Sequence, residues 1–312
     1  MEIIGQMIVF FLIMFIGYLA ARKKMMNETA CKALSAIVVN IANPALILTS
    51  VTGEYQRISN SEIASAFFVI ILMFAMLIAV GYIISKLMKV NNSKEDMYNG
   101  MTVFSNIGFM GFPIIEVAYG KQGLLYGSLV SLVFNVLMYT YGMTKLSATK
   151  HEDKPRKLNI KGLFNLGILA CLVSLTFFLA NISINVSYLE KTIDMLANLT
   201  APLSMMIIGA SFAEIDIGSI FTDVKMIIYS LARQFVIPLL IGIVLLQFTK
   251  NATFLGVLSI MLATPVASMC AMVAQTSNGE YELASKTIAF TTILSLISIP
   301  VMNHILTSIA GY

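Results

Sequence analysis

The chain has 312 residues, 58% hydrophobic and 12% charged, with a formal net charge of +4. Its mean hydropathy of +0.86 lies far above the soluble range and excludes a water-soluble enzyme or nucleic-acid-binding module. The composition implies a polytopic membrane protein.

Apolar stretches long enough to cross about 30 Å of hydrocarbon recur from end to end, and ten spans are expected. The first, Ile3–Ala21, is followed by Arg22, Lys23 and Lys24 and has no small-residue cleavage site, so it is expected to be retained, not removed as a signal peptide. The second, Ala30–Val51, carries Asn43-Pro44, a polar group at depth and an expected kink. The third is Ile63–Met88. The fourth, Met97–Tyr119, holds the strongest local signal, Ser105-Asn106-Ile107-Gly108-Phe109-Met110-Gly111-Phe112-Pro113. Glycine permits non-helical dihedrals, and proline removes a donor and clashes with the preceding turn, so the helix is expected to open here. Opened backbone survives at membrane depth only when buried in protein or lining a polar cavity.

The fifth span, Leu124–Leu146, places Asn135 at depth. The longest polar stretch, Ser147 to Lys161, then reads as a solvated inner linker at 148–161. It separates a first five-span repeat, 1–147, from a second, 162–312. The second repeat comprises Gly162–Ile182, Leu189–Phe212, Val224–Phe248, Phe254–Gln275 and Ala284–Leu306. Arg233 is the basic residue deep in the eighth span, and an ionisable group there is a functional-site candidate by default. The ninth span is interrupted by Thr264-Pro265, with Ser268 just beyond.

Lys and Arg set the orientation. With the N-terminus outside, 15 of the 20 fall on the inner side, so both termini are expected to face outward. The halves also repeat: Asn40-Ile41-Ala42-Asn43-Pro44 aligns with Asn198-Leu199-Thr200-Ala201-Pro202. Five spans per half is an odd number, so the halves insert with opposite orientation. Paired interrupted spans in an inverted repeat point to the binding site of a secondary transporter.

The residues expected to bind substrate follow from these breaks. Asn106 offers a donor and acceptors at mid-membrane depth. Gly108 and Gly111 allow close backbone approach, and Pro113 frees a carbonyl one turn earlier. A half-helix N-terminus beside the break would present N–H groups to an anion. Thr264, Pro265 and Ser268 supply the ninth-span half, with Asn135 and Asn43 as lining groups. Arg233 either meets a carboxylate or pairs with helix carbonyls. Cys31, Cys171 and Cys270 have no metal-like spacing, and no metal or cofactor is expected. The hydrolase, metalloprotease and phosphate-loop motifs are absent, so the chain is not expected to be an enzyme.

Asn43-Pro44-Ala45-Leu46-Ile47, the run Asn106 to Pro113, and Arg233 with Pro238 resemble the auxin efflux carrier family, over the whole chain. That family includes plant PIN-type carriers and bacterial malate or malonate permease-like proteins, and the short central loop resembles the bacterial members. The resemblance implies a fold shared with bile-acid/sodium symporters, with a scaffold of spans 1, 2, 6 and 7, often dimeric. Spans 3–5 and 8–10 would form a mobile transport domain moving by an elevator-like slide. It also implies that Asn106 is a direct polar ligand, completed by backbone near Pro113 and Pro265. Where some members carry an asparagine in the ninth-span break, this chain has Thr264 and Ser268 beside Met269. A small organic anion carrier of the bacterial cytoplasmic membrane is therefore expected, homodimeric, with a proton or sodium as coupling ion and no nucleic-acid partner. The alternatives are a sodium-coupled symporter of bile-acid type and a ligand-binding receptor or channel.

Overall fold

The computed structural model describes residues 2–53, 58–147, 165–180, 182–213, 217–220, 222–277 and 279–311. The expected linker at 148–161 lies outside them. Every named element among the described residues is helical. The helices are α1 (Glu2–Arg22), α2 (Glu28–Ile37), α3 (Asn43–Leu48), α4 (Asn60–Leu87), α5 (Asn92–Val103), α6 (Phe112–Leu137), α7 (Met143–Leu146) and α8 (Leu166–Leu179). They continue with α9 (Ser187–Ala197), α10 (Thr200–Phe212), α11 (Ile217–Ile220), α12 (Val224–Leu231), α13 (Ile237–Leu245), α14 (Ala252–Ala263), α15 (Ser268–Thr276) and α16 (Tyr281–Ile309). Six of these starts are capped by the side chain of Asn27, Ser59, Asn91, Asn165, Asp223 or Asn251, each accepting a backbone N–H of the first turn.

Among the described residues four segments form wide π turns: π1 (Val38–Ala42), π3 (Met138–Gly142) and π4 (Ala232–Val236) each run from one α-helix into the next, and π2 (Ile107–Gly111) leads from an extended break into α6. Three of them stand just before a proline, at Pro44, Pro113 and Pro238. Proline cannot donate, and its ring collides with the carbonyl four residues back. Those carbonyls belong to Asn40, Phe109 and Gln234, each inside the π turn, where the wider coil moves them aside. Asn43-Pro44 therefore sits in continuous helix.

Among the described residues seven helical stretches are long and apolar enough to cross a membrane: 3–22, 28–51, 60–87, 107–146, 187–212, 224–245 and 281–309. The stretch 107–146 folds back at Gly120, with φ 55° and ψ −150°, a conformation open essentially to glycine alone. The fourth and ninth expected spans are each split into shorter pieces, and the described part of the sixth is α8. On α1, Met7, Phe10 and Met14 are buried while Ile4, Ile8, Leu12, Phe15 and Leu19 are exposed. An apolar stripe of that length has a hydrocarbon partner, not water. The protein is an all-helical, multi-pass membrane protein.

α1 and α10 pack with almost no side chain between them. A Cβ at Gly17 would collide with the Met206 carbonyl, and one at Gly209 with the Met14 carbonyl, a reciprocal antiparallel pair of contacts. Small residues of this kind let helix backbones approach inside a membrane. Since the obstacle is backbone, Gly209→Ala should cost about 1–3 kcal/mol. Thermal unfolding in detergent checks this against Gly5→Ala, where nothing lies within 4 Å and helix propensity should leave the variant as stable as wild type or up to about 1 kcal/mol more so.

Candidate functional site

Two helix breaks meet at the centre of the fold. α5 ends at Val103, and Phe104 turns extended at φ −104°, ψ 110°. α14 ends at Ala263, and Thr264 is extended at φ −65°, ψ 150°, as the residue before a proline prefers. The opened segments run antiparallel and pair at Ser105 and Val266. The Asn106 N–H donates to the Pro265 carbonyl at 2.7 Å, and the Ala267 N–H donates to the Phe104 carbonyl at 3.0 Å. Exchanging Ser105 with Val266 turns one bond into the other, so the pair has a local two-fold axis. Each break thus satisfies backbone groups that the other has freed, which a buried, water-poor interior requires.

The opening is narrower than the composition suggests. Only 104–106 leaves helical geometry on the first strand, while Ile107–Gly111 forms π2 and Pro113 sits early in α6. Asn106 caps π2: its Oδ1 accepts the Phe109 N–H at 3.3 Å. That bond fixes the amide orientation, because only the oxygen can accept. Its Nδ2 is left as a buried donor without a partner. The second half-helix, α15, starts after Ala267 with no side-chain cap, so its first-turn N–H groups have no capping side chain.

Gly108 has Asn43 as its neighbour, with Nδ2 3.3 Å from where a Cβ would stand. Asn43 is 8% exposed and its Oδ1 has no partner. Gly111 faces the other way, toward the Met261 sulfur at 3.1 Å from its Cβ position. Gly108, Phe109, Ser268 and Met269 are half-buried, whereas Pro113, Thr264 and Pro265 are buried. The Thr264 hydroxyl is spent on the Met261 carbonyl at 2.9 Å. Asn135 is turned onto its own helix, donating to the Ser131 carbonyl at 2.8 Å and hydroxyl at 3.2 Å. Asn106, Gly108 and Asn43 therefore come together, with Ser268 at the start of the partner half-helix. Gly111 and Thr264 face inward, and Asn135 makes no bond to the crossing.

Arg233 is fully buried in π4. Its Nε donates to the Met101 carbonyl at 3.2 Å, Nη1 to the Leu262 carbonyl at 2.9 Å, and Nη2 to the Ser105 hydroxyl. Met101 and Leu262 lie in the last turns of α5 and α14. The guanidinium thus faces the negative ends of two helix dipoles at once, and its fork geometry serves both. Gln234 extends this clamp, donating from Nε2 to the Ala263 carbonyl at 3.1 Å, the Thr291 carbonyl at 3.2 Å and Ser298 Oγ at 3.0 Å. Thr291 Oγ1 in turn accepts the Val266 N–H at 3.2 Å. Sequence reasoning passed over Gln234 and the α16 hydroxyls. Their signal was a polar pair, Arg233-Gln234, and a Thr/Ser stripe at 287, 291, 295 and 298 in an otherwise apolar span.

Beside the crossing, a cavity of about 10 Å³ lined by Met73, Leu77, Ser105, Ile107, Val130 and Met261 has room for no more than a single water. A larger molecule needs the half-buried side, where Gly108, Asn43 and Ser268 lie.

The family model described as "Membrane transport protein" matches residues 2–303. The chain is 25% identical over 307 residues to an uncharacterized transporter of Methanocaldococcus jannaschii, covering 95% of this chain and 96% of that protein. It is 24% identical over 325 residues to a Rhizobium meliloti protein named "Putative malonate transporter", covering 98% of this chain and 97% of that one. An uncharacterized transporter of Escherichia coli is 21% identical over 165 residues, 52% of each chain. Interrupted helices around a buried polar crossing, in a match that runs almost end to end, make this chain a member of the membrane transport protein family that includes the auxin efflux carriers.

Proposed function

We propose that this protein is a secondary carrier of a small organic anion, a carboxylate, working by alternating access around the crossed breaks. The observation that carries the proposal is the free Asn106 Nδ2 at the start of π2, opposite the uncapped start of α15. A donor locked in orientation beside two half-helix N-termini suits an anion, because the dipoles and N–H groups favour negative charge there. Arg233 is committed to the opposite, C-terminal ends of the same breaks. In this reading it supports the site and leaves anion contact to Asn106, Gly108, Ser268 and Asn43.

The architecture proposed is ten spans in a 5+5 inverted repeat, with spans 1, 2, 6 and 7 as scaffold. Spans 3–5 and 8–10 form the mobile block, which slides as an elevator, and two copies pair through their scaffolds. The meeting of two interrupted helices, one from each half of the chain, supports the inverted repeat. The lysine distribution supports both termini outside a bacterial cytoplasmic membrane. A carboxylate agrees with the printed name of the Rhizobium meliloti relative.

Reconstituted protein should accumulate labelled malonate faster when vesicles are preloaded with unlabelled malonate. Such counterflow requires a site that reorients. Equal rates with and without preloading, or single-channel currents, would contradict a carrier.

A further inference from the structure

Among the described residues, seven buried side-chain atoms have no hydrogen-bond partner. Those of Asn99, Gln234 and Ser259 belong to α5, π4 and α14. Asn99 and Gln234 each spend their other amide atom, on Tyr141 and on the clamp. The remaining atoms are Asn43 Oδ1, Asn106 Nδ2, Thr200 Oγ1 and Ser204 Oγ. They belong to elements that touch one another: α10 packs against π1 and π2, and Asn43 lies at Gly108.

Thr200 is 1% exposed and Ser204 is 0% exposed. A helical Ser or Thr ordinarily donates to a carbonyl one turn back, as Thr287, Thr291 and Ser230 do here. Thr200 and Ser204 do not. Gly209 and Met206 are the α10 positions pressed on α1. Thr200 and Ser204 stand roughly 120–180° around the helix from them, away from α1, on a helix whose other neighbours include α2, π1 and π2.

We propose that Thr200 and Ser204 are substrate-contacting residues, forming with Asn43 the wall that faces Asn106 across the site. This rests on the reading of the crossing as the anion site and extends it to the rest of the ligand. The carboxylate takes Asn106 and the half-helix N-termini. The α10 hydroxyls, each able to donate and accept, take a second oxygen function. The site therefore selects short acids with a second hydrogen-bonding group over acids with an alkyl tail.

The test uses purified full-length protein and acids paired by carbon count, malonate with propionate and succinate with butyrate. Affinity is read from ligand-induced thermal stabilisation. The wild type should favour the dicarboxylate of each pair. In Thr200→Val and Ser204→Ala, dicarboxylate affinity should fall about three- to tenfold per hydroxyl, with monocarboxylate affinity unchanged. The ligand-free melting temperature should hold or rise, because each change removes an unpaired buried hydroxyl. Wild-type dicarboxylate affinity in both variants overturns the assignment, as does lowered ligand-free stability with that affinity intact, which marks structural hydroxyls. A wild type that binds none of the four acids overturns the carboxylate reading and this inference together.

Discussion

Arg233→Gln should lose about 3–5 kcal/mol of stability, the cost of breaking a buried charged network. The side chain crosses to carbonyls far away in sequence, on Met101 and on Leu262, and to the Ser105 hydroxyl. Glutamine cannot reach all three acceptors, and it removes the charge that opposes two converging helix C-termini. Unpaired carbonyls at this depth have no water to turn to. Arg233→Lys keeps the charge on a single compact head and loses the fork, so it should fall between the two. Thermal unfolding of the detergent-purified variants reads this directly. A wild-type melting temperature for Arg233→Gln would show that the crossing does not depend on the clamp.

Asn106→Asp should fold and fail to bind. The carboxylate keeps an acceptor for the Phe109 N–H, and an acidic residue at a helix start is well placed as a cap. The free amide donor is replaced by a negative oxygen facing the incoming anion. Losing one charge-assisted hydrogen bond costs about 1.5–3 kcal/mol, a factor of about 10–150 in affinity, and like-charge repulsion adds to it. Asn106→Ala loses both the cap, about 1 kcal/mol, and the donor. Comparing the two separates folding from recognition, because only the alanine variant should be less stable than wild type.

The outline of the fold was legible because it rests on local chemistry. Apolar length marks the helices, and Gly, Asn and Pro mark the interrupted span between Ser105 and Pro113. Thr264-Pro265 located the other break to the residue, since the residue before proline is driven to extended geometry. The first break was harder to place. Pro113 is accommodated by the wide turn π2, so the chain opens at 104–106, at the start of that run and ahead of Gly108, Gly111 and Pro113.

The site was legible only in part, because partner choice is tertiary. Asn106 and Asn135 look alike as single polar residues in apolar spans. One caps a half-helix and keeps a free donor; the other folds back on Ser131. Arg233 was conspicuous, yet two of its three acceptors are backbone carbonyls, which leave no trace in residue identity. Gln234 is marked only by its place beside Arg233, and nothing in the residue types of Thr200 and Ser204 tells which neighbour they face. Their significance comes from which helix faces which, and from the absence of the back-bond that a buried hydroxyl normally makes.

Binding of short carboxylates to wild type and Asn106→Asp, followed by titration calorimetry on purified protein, tests most directly whether the crossing holds the anion. Wild type should bind at least one acid, and Asn106→Asp, with an unchanged melting temperature, should bind it at least a hundredfold more weakly. Equal affinity in the two proteins would contradict an anion site at the crossing.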